Sequence, residues 1–385
     1  MTAPGVPLPA RACARVAAAW RAGLPGPLGL ALTPLAWGYR AGLAAREAAY
    51  AGGLLRRGRA GCPVVSIGNL TVGGTGKTPA VELVARWLAE DGRRVAVVSR
   101  GYGRRRGAPV EIVSDGGAVL ADVDRAGDEP LLLARRLPGV PVVVGSDRLA
   151  AARAAAARFA PDVLLLDDGF QQRRLAKDVE IVCLDARAPW GRGGLFPRGT
   201  LREPPGALRR AHLLILTHAA ARNGVDAAVP RGAGGVPWFP AALAVEGVRR
   251  LGRGGIDPVA RLQGRPLLAF AGIAVPEGFA STLREAGVVV RDLVAFPDHH
   301  RYRAADLRAL AERARAVGAE ALVTTEKDAM RLGGVGAGLD GAAAGGAAPA
   351  PTVWVLRVRL EPCGPVERWR AALCARLDAA REAAG

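Results

Sequence analysis

The residues of this chain best placed to do chemistry lie in Thr71-Val-Gly-Gly-Thr-Gly-Lys-Thr78. Gly73, Gly74 and Gly76 let a loop turn its N–H groups inward as a nest for phosphate oxygens, with Thr71, Val72 and Thr75 completing it. Lys77 then reaches the β- and γ-phosphates of a nucleotide, and the Thr78 hydroxyl ligates Mg²⁺. The apolar run Val64-Val65-Ser66-Ile67 predicts a buried strand leading in, and Pro79 opens a helix whose N-terminus adds positive field. The strict form of such a loop begins with glycine where this chain has Thr71. Among 53 Lys and Arg residues, only Lys77, Lys177 and Lys327 are lysines. A chain that writes arginine almost everywhere keeps lysine where a compact ammonium is needed, which strengthens Lys77 and, more weakly, Lys327.

Acidic and basic candidates follow at the ends of other apolar runs. Asp167 and Asp168 close Val163–Leu166, the position of a carboxylate that holds Mg²⁺ through its water shell, and Gly169–Gln172 continues as a loop. Asp128 stands in Gly127-Asp-Glu-Pro130, where a helix cap and a chemical role are both open. Asp147-Arg148, after Pro141–Gly145, carries the same ambiguity. Ser99–Arg104 offers Arg100 to phosphate and Tyr102 to a base or sugar, or is a surface turn. The arginines of Arg198–Glu203 suit a finger that stabilises transition-state charge. Of four histidines, His299 and His300 adjoin in Phe296-Pro-Asp-His-His-Arg-Tyr302: a proton-handling pair with Asp298, a capped turn, or neither. Thr324-Thr-Glu-Lys-Asp328 lacks the Asn-Lys-x-Asp spacing of guanine recognition, which favours ATP over GTP.

The elements that must position these residues alternate. Val81, Val84, Ala85 and Leu88 fall at helical spacing within Pro79–Asp91, and Gly92 is placed to end that helix. Strands are predicted at Arg94–Ser99, Pro141–Gly145, Val163–Leu166, Glu180–Leu184 and Leu213–Thr217, with a helix at Ala150–Phe159. Short, fully apolar strands alternating with helices predict an α/β fold, a P-loop NTPase-like doubly wound parallel sheet with ligands at the carboxyl ends of its strands. From about Gly232 the texture becomes Gly- and Pro-rich, and a second alternation runs from Leu267–Phe270 through Ala321–Thr325, then Thr352–Leu360 and a terminal helix at Val366–Ala384. Gly333–Ala350 reads as a low-complexity loop. The expected division is a segment over 1–53, a nucleotide-binding domain over 54–235 and a smaller α/β domain over 236–385, whose last helix packs back on the first.

No charged side chain stands between Arg21 and Arg40, but Pro25, Pro27 and Pro34 interrupt the run and predict a poor regular helix. Arginines flank it on both sides, which suits a helical segment lying on an anionic membrane surface better than one crossing it; a buried hairpin is the alternative. The formal charge of +18 asks for an anionic partner. Aromatics are only 5% and do not interleave with the basic residues, which argues against nucleic acid. Five scattered cysteines without a Cys-x-x-Cys spacing indicate a reduced, cytosolic, metal-free thiol set. Oligomeric state has no signal in the sequence.

Taken together, these stretches resemble one family, the tetraacyldisaccharide 4′-kinases of lipid A biosynthesis. The matching segments are Ser66–Pro79, Ser99–Arg104, Gly127–Pro130, Gly145–Arg148, Leu166–Gln171, Leu201–Pro204, Phe296–Tyr302 and Thr324–Asp328. Thr71 is ordinary in that family. The resemblance implies ATP- and Mg²⁺-dependent phosphorylation of the 4′-hydroxyl of a lipid A disaccharide 1-phosphate at the cytosolic face of the bacterial inner membrane. It also implies a second α/β domain that closes over the nucleotide. On the matching positions, Lys77 and Thr78 would hold phosphates and Mg²⁺, with Asp167 and Asp168 on the metal side. Asp128 would be the general base, oriented by His299. Arg148 and Arg202 would stabilise phosphoryl or substrate phosphate charge, and Tyr102 and Gln171 would line the site. Where the family usually has histidine after that glutamine, this chain has Gln172.

Overall fold

The computed structural model describes residues 20, 26–192, 194–219, 235–337 and 351–382. They form two compact units: one runs to Leu243 and resumes at Leu360, and the other spans Ala244–Arg359.

In the first unit, β1 (Val64–Asn69), β2 (Val95–Ser99), β3 (Val110–Asp115), β4 (Pro141–Gly145), β5 (Val163–Asp167), β6 (Val179–Asp185), β7 (Leu213–Thr217) and β8 (Trp238–Arg250) lie in the order β8-β7-β6-β1-β5-β2-β4-β3. β8 carries the chain past Leu243 into the second unit. β1 pairs in parallel with β5 on one side and β6 on the other, placing the phosphate loop mid-sheet at their carboxyl ends. The sheet is parallel but for β3, which runs antiparallel to β4 at the edge. This strand was not expected from sequence; only part of it is buried, and its apolar signal is correspondingly short.

The helices of this unit are α1 (Gly26–Ala31), α2 (Thr33–Ala51), α3 (Lys77–Glu90), α4 (Val123–Ala126), α5 (Asp128–Arg136) and α6 (Arg148–Phe159). α3 buries Val81, Val84, Ala85 and Leu88, and Gly92 at φ 76° turns the chain away. Ala151, Ala152 and Ala155 of α6 pack on Val64, Ala96, Val98, Leu164 and Leu166. Each fully buried leucine there is worth about 1.5–3 kcal/mol.

Two expectations for the N-terminal part need correcting. Pro34 does not spoil the helix: it sits in the first turn of α2, where its missing N–H is not needed, and α2 continues for 19 residues. Nor is this a buried hairpin, since only Ala36 of α2 is buried, while Leu35 and Trp37 are 60% and 68% exposed. No helix among the described residues is long and apolar enough to cross a membrane. Residues 1–19 and 21–25 of the expected membrane segment lie outside the described residues.

The second unit continues with β9 (Pro266–Ala271), α7 (Pro276–Glu285), β10 (Val289–Ala295), α8 (Ala304–Ala316), β11 (Ala321–Thr325), α9 (Glu326–Ala337) and β12 (Val353–Pro362). β9 pairs in parallel with β10 and β11, and β11 with β12. α9 was not expected, and it takes in the start of the stretch read as a loop. The terminal helix α10 (Glu367–Glu382) belongs to the first unit, where Arg370 pairs with Glu90 and Asp91 at 3.0 and 2.9 Å.

Candidate active site

The loop after β1 is held from three sides. Asn69 Nδ2 donates to Thr71 O at 2.6 Å. Val72 N–H donates to Thr200 O, and Arg202 N–H to Leu70 O, both at 2.7 Å. Behind the loop, the fully buried Thr217 at the end of β7 donates its hydroxyl to Thr75 O at 3.0 Å. Gly76 caps α3 at φ 74°, and a Cβ there would stand 3.1 Å from Thr217 Cγ2. The backbone of the glycine loop is therefore set in large part by residues more than a hundred positions away.

Lys77 Nζ donates to Asn69 Oδ1 at 3.2 Å and lies 3.7 Å from Asp168 Oδ1. Asp168 stands just beyond β5 at φ 52°, and Arg202 Nη1 donates to both its carboxylate oxygens at 2.9 Å. Burial would raise the Asp168 pKa, but Lys77, Arg202 and Arg148 together hold it below the usual range. Gln171 accepts from Arg202 Nη1 at 3.4 Å and donates to Asn69 O at 3.0 Å. Arg148, buried at the start of α6, donates to Ser146 O at 2.9 Å. Burial and nearby Arg100 lower its pKa against the fields of Asp168, Asp167 and Asp147.

Asp167 behaves unlike its neighbour. Its Oδ2 accepts from Ser99 Oγ at 2.8 Å, while Oδ1 is buried without a hydrogen-bond partner. Burial, then Glu129 and Asp168, push its pKa up to about 7 against Ser99 and Lys77. Among the described residues no three His, Cys, Asp or Glu side chains converge as a protein-only metal site.

The two ambiguous acidic turns separate here. Asp147 is a true cap, accepting from Leu149 N and Ala150 N at 3.0 and 3.2 Å. Asp128 is already inside α5, with Gly127 at the cap position. It is 4% exposed, and its Oδ1 accepts from the adjacent Glu129 N–H at 3.1 Å. Gly127, at φ 86°, approaches so closely that a Cβ there would lie 2.5 Å from Tyr102 O. The Gly101-Tyr102 backbone is thus seated on Gly127, although the Tyr102 side chain is 61% exposed.

In the second unit, the two histidines differ. His300 Nε2 lies 3.1 Å from Asp306 Oδ2, and its ring stacks on Phe296 at 4.6 Å, so it is committed to the fold. His299 sits at φ 58° with its Nε2 3.9 Å from Asp298 Oδ1.

Sequence reasoning missed Asn69, Ser99, Thr217 and Lys177. Lys177 Nζ donates to Gly169 O and Phe170 O at 3.0 and 3.4 Å and pairs with Glu180 at 2.9 Å. Burial pulls its pKa down to about 8, opposed by Glu180, with which it is paired. The scarcity of lysine, credited in the sequence to Lys77 and Lys327, is a signal that applies to Lys177 as well.

A family model for tetraacyldisaccharide-1-P 4′-kinase matches residues 28–378. The tetraacyldisaccharide 4′-kinase of Anaeromyxobacter dehalogenans strain 2CP-C is 50% identical over 328 residues, covering 82% of this chain and 85% of that protein. That of Syntrophus aciditrophicus is 44% identical over 317 residues, covering 80% and 85%. A crystal structure of LpxK from Aquifex aeolicus in complex with ATP superposes with a TM-score of 0.72 at 29% identity, covering 91% of this chain and 99% of that one. By this match over nearly its whole length, the chain belongs to the tetraacyldisaccharide-1-P 4′-kinase family.

Proposed function

We propose that this protein transfers the γ-phosphate of ATP to the 4′-hydroxyl of a tetraacyldisaccharide 1-phosphate, a step of lipid A biosynthesis. The observation that carries this reading is the cluster of Lys77, Asp168, Arg202 and Gln171 around the glycine loop that ends β1. The loop amides and Lys77 bind the phosphates, and Arg148 and Arg202 spread charge on the transferring group. The buried Asp167 Oδ1 without a hydrogen-bond partner, with Asp168 and the Thr78 hydroxyl, fits a Mg²⁺ site of few protein ligands. Mg²⁺, when bound with ATP, neutralises phosphate charge. Asp128 takes the proton of the 4′-hydroxyl as its oxygen bonds to the γ-phosphorus and ADP leaves. His299 orients Asp128 and tunes its pKa. Tyr102 and Gln171 line the nucleotide site.

We further propose that the protein works at the cytosolic face of the bacterial inner membrane without crossing it. Exposed Leu30, Leu35, Trp37 and Leu54 beside Arg40, Arg56 and Arg57 support an interfacial seat on anionic lipid.

The test is ATP turnover in detergent with and without the disaccharide 1-phosphate. Transfer of labelled phosphate to the lipid is expected; turnover indifferent to the lipid sinks the kinase reading. Asp128→Ala should lower kcat roughly 10²–10⁴-fold with ATP affinity little changed. An equal loss of ATP affinity would move Asp128 to a metal-binding or structural role.

A further inference from the structure

The segment Thr324–Asp328 ends on a buried carboxylate with several hydrogen-bond donors. Asp328 is fully buried. Its Oδ1 accepts from Gly272 N at 2.9 Å, Tyr302 Oη at 2.7 Å and Arg331 Nη2 at 2.9 Å. Its Oδ2 accepts from Thr325 Oγ1 at 2.6 Å. Arg331, also buried, donates through both η nitrogens to Gly272 O at 3.0 Å and to His300 O at 3.3 Å. Gly272 O in turn accepts the backbone N–H of His299 at 3.0 Å.

All of these bonds but one end on the backbone beside His299 or on a group that fixes it; the exception, from Thr325, fixes Asp328 itself, whose N–H Thr325 Oγ1 accepts at 3.2 Å. The carbonyl under the His299 amide and the carbonyl of the residue after it are both gripped by Arg331. The carboxylate that holds Arg331 is braced by Tyr302, two residues further on. A Cβ on Gly272 would lie 3.0 Å from Pro297 O and 3.2 Å from both Asp328 Oδ1 and His300 Cβ, so the chain just beyond β9 packs tightly against this loop. His299 needs such bracing because its backbone is left-handed at φ 58°, a conformation disfavoured for a residue with a side chain.

We infer that Asp328, with Arg331, Tyr302 and Thr325, is a positioning residue that holds the His299 loop in its left-handed form, which is the role of the Thr324–Asp328 segment. This rests on the reading that His299 takes part in the reaction. A buried, fully bonded carboxylate–guanidinium pair specifies one loop conformation, because any other leaves a charge unpaired.

The experiment measures kcat, the KM for ATP and thermal stability for wild type, His299→Ala, Tyr302→Phe and the double variant, with Thr325→Val and Thr325→Ser as a conservative pair. Asp328→Asn is the obvious change, but the unpaired Arg331 it leaves risks unfolding; Tyr302→Phe removes one donor and keeps the ring. Tyr302→Phe is expected to lose roughly tenfold in kcat at unchanged KM, as a displaced catalytic group does. Added to His299→Ala it should lose nothing more. Thr325→Ser should keep wild-type kcat where Thr325→Val does not. The same loss from Tyr302→Phe in both backgrounds overturns the inference, as does wild-type kcat in Tyr302→Phe alone. Wild-type kcat in His299→Ala overturns the His299 assignment itself, and the inference falls with it.

Discussion

Replacing Lys177 with methionine keeps the length of the side chain and removes its charge and all three of its donated bonds. The Lys177–Glu180 pair is almost wholly buried, with side chains 4% and 8% exposed. Removing one partner of a buried pair costs about 3–5 kcal/mol, because the other charge is left uncompensated. The carbonyls of Gly169 and Phe170 also lose their donor, a further cost of about 1 kcal/mol for the shorter bond. For a unit of this size a loss of that order lowers Tm by roughly 10 °C. Lys177→Met/Glu180→Gln removes both charges and should recover most of the loss, remaining about 1–2 kcal/mol below wild type for the orphaned carbonyls. Because those carbonyls belong to the loop between Asp168 and Gln171, the double variant should still lose roughly tenfold in kcat. Urea unfolding followed by circular dichroism, with phosphate transfer measured on the same preparations, reads both effects. A single variant within about 0.5 kcal/mol of wild type, or a double variant as damaged as the single one, refutes the reasoning.

Gly68→Ala places a Cβ 2.6 Å from Phe170 Cβ and 2.7 Å from Phe170 N, and a strand in mid-sheet cannot yield. It should cost about 1–3 kcal/mol and displace the Asp168 loop, seen as lowered Tm together with lost transfer activity; full activity would show that the loop moves freely. Asp147→Ala removes a cap and should cost about 1 kcal/mol with the KM for ATP near wild type, whereas a large rise in that KM would place Asp147 in the site. Leu35→Ser/Trp37→Ser should weaken co-sedimentation with anionic liposomes while leaving transfer to detergent-dispersed lipid intact. Unchanged sedimentation would remove α2 from the membrane contact.

Much of the fold was legible because its signals are local. β4, β7 and β11 fall on the bounds their apolar runs suggest, and the strand–loop–helix around Lys77 follows from glycine, lysine and proline in short order. β8 was not legible: Pro240, Gly247 and a run of alanines blur its 13 residues, and only its neighbours make it a strand. α9 was hidden in Gly-rich text for the same reason. Pro34 was read as a breaker because composition alone does not say which turn of a helix a proline will occupy.

The sequence by itself determined which residue types were available for phosphoryl transfer, their order along the chain and their family. A glycine loop, a rare lysine and paired aspartates are short-range patterns, each fixed by a few adjacent residues. Only the tertiary structure decided the surroundings of each. Asp128 and Asp147 look alike in sequence, but Asp147 caps a helix while Asp128 is buried in the first turn of one. His299 and His300 are neighbours, yet Asp306 and Phe296 claim only the second. Asp167 and Asp168 adjoin, but their pKa values move in opposite directions: at Asp168 the cations Lys77, Arg202 and Arg148 outweigh burial, while at Asp167 burial, Glu129 and Asp168 outweigh Ser99 and Lys77. The state of a charged group depends on which distant groups are brought within a few ångströms of it, and that distance is set by packing, not by position in the chain.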